Sequence, residues 1–150
     1  MIIRELNDQE KPPMNLLLLA DPSIKIVEGY LARGKCYVVE VDHEMIGVYV
    51  LLPTRPETVE IVNVAVEGKH QGKGLGKQMV LDAIQKARGN GYKTIEIGTG
   101  NSSISQLALY QKCGFRITGI DHDFFVKHYS DEIYENGIQC RDMIRLSQDL

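Results

Sequence analysis

The stretch His70-Gln71-Gly72-Lys73-Gly74-Leu75-Gly76-Lys77-Gln78 (HQGKGLGKQ) decides how the chain is read. Within Gly72–Lys77, three glycines and two lysines share six positions. Glycine lets the backbone approach an anion with no Cβ in the way, and lysine adds charge, so the stretch suits a phosphate. A Walker A loop, G-x-x-x-x-G-K-[ST], does not fit: Gln71 stands at its first glycine and Gln78 at its Ser/Thr. The dinucleotide pattern G-x-G-x-x-G fails too, with Lys77 or Met79 at its third glycine.

On the upstream side lies Thr58–Val66 (TVEIVNVAV), a run of β-branched residues that predicts a long strand. On the downstream side Leu75, Met79, Val80, Ala83, Ile84 and Ala87 recur on one face at helical spacing, and Gly89-Asn90-Gly91 ends the helix. A phosphate-binding loop belongs at such a strand-to-helix junction. The helix N-terminus carries unpaired N–H groups and roughly half a positive charge. Taken alone, the stretch also fits a glycine-rich turn with solvated lysines.

Further out, residues 2–6 predict a short strand, and Leu16–Ala20 and Ile24–Leu31 two short helices around Asp21-Pro22. Strands are expected over Cys36–Val41 and Ile46–Leu52, turned by Asp42-His43-Glu44, with a loop over Pro53–Pro56. After the central helix come a strand at Thr94–Thr99, a helix over about 103–113, a strand at Phe115–Ile120, an irregular stretch over 121–137, and a last strand from Gln139 to Leu146. This order predicts one α/β (α+β) domain over 1–150. Its sheet begins antiparallel and ends mixed.

Composition narrows the function. A net charge of −3 argues against general nucleic-acid binding. Leu16–Ala20, an unbroken apolar run near the start, is too short for a bilayer, and Glu5, Asp8 and Glu10 precede it where a secretory signal has basic residues. Cys36, Cys113 and Cys140 form no CxxC pair and are expected as buried, reduced thiols in a cytoplasmic protein. The four histidines show no ligand spacing, so no metal is expected.

Two blocks carry a resemblance. Gln71-Gly72-Lys73-Gly74-Leu75-Gly76 matches Q/R-x-x-G-x-G/A after a strand holding Asn63-Val64-Ala65-Val66. Asn101 is followed by Leu107-Ala108-Leu109-Tyr110-Gln111-Lys112-Cys113-Gly114-Phe115, similar to N…A-x-x-x-Y-x-x-x-G-F, with Ser105 or nearby residues at the variable start. Together, over about residues 59–117, they resemble the GNAT superfamily of acyl-CoA N-acyltransferases. The resemblance implies a mixed, mostly antiparallel sheet of about six or seven strands flanked by about four helices. It also implies acetyl-CoA as acyl donor, with its pyrophosphate on Gln71, Gly72, Lys73, Gly74, Leu75, Gly76 and Lys77. The pantetheine arm would pair with the free backbone of Val64, Ala65 and Val66 and with Asn101. Val64 and Val66 also fit plain core packing, and Asn101 a helix cap.

By the same resemblance Tyr110 is the general acid for the leaving thiolate and lies against the cofactor. A half-buried tyrosine on an amphipathic helix is the plainer role. Glu96, held between Ile95 and Ile97, is the expected base, working through water, with Glu60 on the neighbouring strand as its rival. The acceptor site should draw on Asp21, Glu28, Tyr30, Asp121, His122, Asp123, Phe124, Phe125, Tyr129, Asp131, Glu132 and Tyr134. Acidic and aromatic residues together suit a small cationic primary amine. The alternatives are a protein N-terminus or lysine as acceptor, and a non-catalytic acyl-CoA sensor. A small-molecule amine is the expected partner, with no nucleic acid and no membrane, and a homodimer stays open.

Overall fold

The computed structural model describes Met1–Leu150. Strand β1 (Ile2–Glu5) leads into helices α1 (Met14–Ala20) and α2 (Ile24–Leu31), then strands β2 (Lys35–Val41), β3 (Glu44–Arg55) and β4 (Thr58–Val66). A single 3₁₀ turn over Gly68–His70 precedes helix α3 (Leu75–Gly89). Strand β5 (Thr94–Gly100), helix α4 (Ile104–Lys112), strand β6 (Arg116–Asp121) and helix α5 (Phe124–His128) follow. The short strands β7 (Tyr134–Glu135) and β8 (Ile138–Gln139) form a hairpin, and β9 (Met143–Asp149) closes the chain.

Seven strands make one sheet in the order β1-β2-β3-β4-β5-β9-β6. Every pairing is antiparallel except β4–β5. The parallel pair is a strand–helix–strand crossover through α3, the connection that parallel neighbours require. The expected architecture is therefore present, with five helices instead of about four. The parallel character is confined to the centre of the sheet, because β9 inserts between β5 and β6.

Local chemistry explains the boundaries. Asp42 and His43 both take positive φ, 50° and 66°, the two-residue turn that closes β2 on β3. Strand β3 runs on to Arg55 through Pro53, where a loop was expected. Its ladder shifts register between Pro53 and Arg55, and a residue without an N–H is tolerated there. The last strand starts at Met143, later than expected, because Asn101 Oδ1 accepts the N–H groups of Arg141 (2.8 Å) and Asp142 (3.0 Å) and holds them out of the ladder. Residues 138–139 belong to the small hairpin, turned at Asn136-Gly137. The stretch expected to be irregular contains α5.

Two apolar clusters cover the two faces of the sheet. Helix α3 buries Leu75, Met79, Val80, Ala83, Ile84 and Ala87, the face read from the sequence, against Tyr49, Val59, Ile61, Ile95 and Ile97. Helices α1 and α2 bury Leu16, Leu17, Val27 and Tyr30 against Val38, Val48 and Val50. Tyr49 is fully buried, stacks on Tyr37 with centroids 4.8 Å apart, and donates its hydroxyl to Asp82 Oδ2 of α3 at 2.7 Å. That bond fixes α3, and so the loop before it, on the sheet. Tyr49→Phe should cost about 1–2 kcal/mol in urea unfolding, since the acceptor is charged but can be rehydrated and keeps Lys86 at 3.2 Å.

Candidate active site

Strands β4 and β5 pair only over Thr58–Ile61 and Thr94–Ile97. On its other side β4 carries a bulge. Val50 pairs with Asn63 and Leu51 with Ile61, so Val62 has no partner and the strand bends. Beyond Ile61 and Ile97 the two strands part, and the backbone of 62–66 faces an opening with no neighbouring strand. The opening is a cleft of about 700 Å³. Its floor is formed by the two strands, and Leu18–Ala20, α3, α4, α5 and the β7–β8 hairpin form its walls.

The glycine loop closes one end. Gly72 and Gly74 take φ of 77° and 79°, the left-handed region that favours glycine. Gly74 is the N-cap of α3 and supplies no side chain. None of the backbone N–H groups from Gly72 to Lys77 is bonded within the protein. Gln71 Nε2 donates to Val66 O at 3.0 Å and ties the loop to the end of β4. Six free donors at a helix start, with Lys77 beside them, fit a pyrophosphate.

Tyr110 of α4 reaches the cleft between the parted strands and is 4% exposed. Its ring meets Phe115 edge-on at 6.4 Å, and its hydroxyl makes no hydrogen bond within the protein. Burial pushes its phenol pKa up, so it stays protonated at neutral pH.

Among the residues singled out for the cofactor, Val64, Ala65, Val66, Gln71, Gly72, Gly74, Leu75, Gly76, Lys77 and Tyr110 line this one cleft. Lys73 does not. Nor does Asn101, whose amide is engaged by the 139–142 segment: Nδ2 donates to Gln139 O at 3.1 Å, and Oδ1 takes the two N–H groups named above. Its observed work is to anchor that segment.

Glu60 and Glu96 are register partners on β4 and β5, one residue short of the point where the strands part, and neither lines the cleft. Glu96 is bound by Arg55 and by Thr54 Oγ1 at 3.4 Å. Glu60 has only Arg145, at 3.8 Å. Burial raises the Glu60 carboxyl pKa, and Arg145 partly opposes the shift.

The acceptor candidates divide sharply. Phe125 and Tyr129 line the cleft. Asp21 is buried behind it, accepting from Tyr129 Oη (2.9 Å), Tyr30 Oη (3.4 Å) and the Ser23 N–H (3.2 Å). Asn63 Nδ2 joins this network by donating to Tyr30 Oη at 2.7 Å. Asp121 and Asp123 are bound by Arg145 (2.9 Å) and Arg141 (2.6 Å), and His122 lies 3.7 Å from Asp142. Phe124 lies under Arg145, and Tyr134 donates to Glu132. These residues, with Glu28 and Asp131, stand outside the cleft. Glu135, Ile133, Gln106 and Cys140 line it and were not foreseen. Glu135-Asn136-Gly137 reads in the sequence as a plain turn. Nothing local shows that its first residue faces inward.

A sheet whose central strands part over a loop of free N–H groups, with a protonated tyrosine in the gap, defines a protein that holds an acyl-CoA and acts on its thioester. The chain belongs to the acetyltransferase (GNAT) family, whose model matches residues 4–115. It is 68% identical over 136 residues to the N-acetyltransferase YvbK of Bacillus subtilis (strain 168), covering 91% of this chain and 88% of that one. A Bacillus subtilis acetyltransferase solved in complex with CoA is 63% identical, with a TM-score of 0.94 over 99% of this chain and 97% of that one. A GNAT family acetyltransferase from Elizabethkingia anophelis with acetyl-CoA bound is 48% identical, with a TM-score of 0.98 over 99% and 97% of the two chains. The protein is an acyl-CoA-dependent N-acetyltransferase, with acetyl-CoA as donor. No helix is long and apolar enough to cross a membrane.

Proposed function

We propose that residues 1–150 form one N-acetyltransferase domain that acetylates a small cationic primary amine by direct attack. The continuity of the cleft carries this reading. One space runs from the N–H-rich loop, past the Tyr110 hydroxyl, to a pocket walled by Phe125 and Tyr129. Acetyl-CoA supplies an activated thioester. The loop N–H groups and Lys77 hold its pyrophosphate, and the side of β4 at Val64–Val66 that faces away from β3, left without a strand partner, aligns its pantetheine arm and polarises the carbonyl. Tyr110 gives a proton to the departing sulfur. The edge strand β6 is exposed along its length, with Ile117 and Ile120 outward, which supports pairing with a second copy there. The three free thiols support a cytoplasmic location.

Glu60 and Glu96, one residue short of the point where the strands part, are the candidates to accept the amine's proton through water. Arg55 and Thr54 hold the two oxygens of Glu96. Burial raises the Glu60 carboxyl pKa and Arg145 pairs it only loosely, which favours Glu60 as the base. Glu60→Gln should lower turnover at neutral pH about a hundredfold, the low end for a general base. The deficit should shrink as pH rises and free amine becomes abundant. If Glu96→Gln shows this profile and Glu60→Gln does not, the roles are reversed.

The acceptor class is tested by measuring thiol release from acetyl-CoA with polyamines, aminoglycosides, amino acids, arylalkylamines and short peptides. Higher kcat/KM for small cationic amines than for peptide N-termini or lysines supports the proposal, and the reverse order replaces it with protein acetylation.

A further inference from the structure

The cleft is electrically lopsided. Its cationic lining group, Lys77, sits at the loop end. Around the far end stand Leu18, Leu19, Phe125, Tyr129, Ile133 and Glu135, which include one carboxylate and no cation. Glu135 is half-buried, and its Oε1 accepts from Ser103 Oγ at 2.7 Å and Ser102 Oγ at 3.3 Å. The hairpin that carries it is fastened to the same segment, with Asn136 Nδ2 donating to Ser102 O at 2.8 Å. Its position is therefore fixed before any ligand arrives.

What Glu135 lacks is a counter-ion. The protein's ion pairs use Glu10, Glu40, Glu60, Glu67, Glu96, Asp82, Asp121, Asp123 and Asp142, and Glu135 is in none of them. Its Oε2 has no protein partner either. A partly desolvated carboxylate is costly unless it is paired. Here it is held rigid by two hydroxyls in the wall of a substrate cleft, which leaves the pairing to a ligand.

We infer that Glu135 is the anionic contact for the acceptor's ammonium group, and that the acceptor is an amine carried on an apolar or aromatic body. Leu18, Leu19, Phe125, Tyr129 and Ile133 receive the body, and Glu135 receives the charge in the first complex, before proton loss and attack. This inference rests on the small-amine reading proposed above.

Glu135→Gln is the informative variant, because the amide oxygen still accepts from both serines and the hairpin keeps its anchor. The probes are benzylamine, phenethylamine, tyramine and spermidine, each with acetyl-CoA. For the best of these the acceptor KM should rise about ten- to hundredfold, the worth of one hydrogen bond to a charged group. The KM for acetyl-CoA should stay within about twofold, and Glu135→Asp should recover part of the loss by keeping the charge. An unchanged acceptor KM in Glu135→Gln, with the amine still turned over, overturns the role of Glu135 and leaves the small-amine reading intact. A wild-type protein that acetylates none of the four amines overturns both.

Discussion

Tyr110→Phe should lower kcat with acetyl-CoA by about 10²- to 10⁴-fold, the usual worth of a positioned general acid. Stability and acetyl-CoA affinity should hardly change. The ring is packed against Phe115, and the hydroxyl has no protein partner, so its removal leaves no buried group unsatisfied. Burial that raises the phenol pKa keeps the proton in place but makes it harder to give up. The transfer remains feasible because the thiolate formed in the same desolvated gap is raised as well. An acyl donor with a better leaving group needs less protonation and should rescue the variant. The check is turnover of wild type and Tyr110→Phe with two donors of different leaving-group pKa. Equal activity with acetyl-CoA would reduce Tyr110 to a packing residue.

Gly74→Val should weaken acetyl-CoA binding roughly 10²- to 10³-fold. Two effects combine: about 1–2 kcal/mol to hold a side-chain-bearing residue in the left-handed region, and loss of charge-assisted N–H bonds where the side chain displaces the anion. Gly74 has a φ of 79°, yet a Cβ there would meet no protein atom within 4 Å. The damage should therefore fall on the ligand more than on the core. Gly68→Ala is the control: its Cβ also meets nothing, and no positive φ is required of it. Calorimetric titration with acetyl-CoA decides the matter. Unchanged affinity in a folded Gly74→Val protein would remove the loop from the cofactor site.

The most legible parts of the chain were those whose signals are local. The helical spacing from Leu75 to Ala87 gave the buried face of α3 residue for residue, and the glycine loop gave its start. The alternation of Ile95, Glu96 and Ile97 gave β5, with both isoleucines buried. The insertion of β9 between β5 and β6 was not legible, because strand order depends on contacts far apart in sequence. Its consequences reach the site. Arg145 of β9 neutralises Asp121 and stands nearest Glu60, so a set of acidic residues that looked available in sequence is partly spent on ion pairs. The contacts of Asn101 were not legible for the same reason, its partners lying about 40 residues away at 139–142. Glu135 was missed because a turn sequence shows where a chain reverses and not which side chain faces a cleft.

Acetyl transfer to an amine should take place within the cleft between β4 and β5. The most direct test incubates the protein with acetyl-CoA and the best amine of the panel, and measures free thiol and N-acetylated amine together. The expected result is one N-acetyl product per thiol released, at a rate that saturates in both substrates and collapses in Tyr110→Phe. Binding of acetyl-CoA with no thiol release above the uncatalysed rate for any amine or peptide would contradict it and leave a protein that holds the thioester without using it.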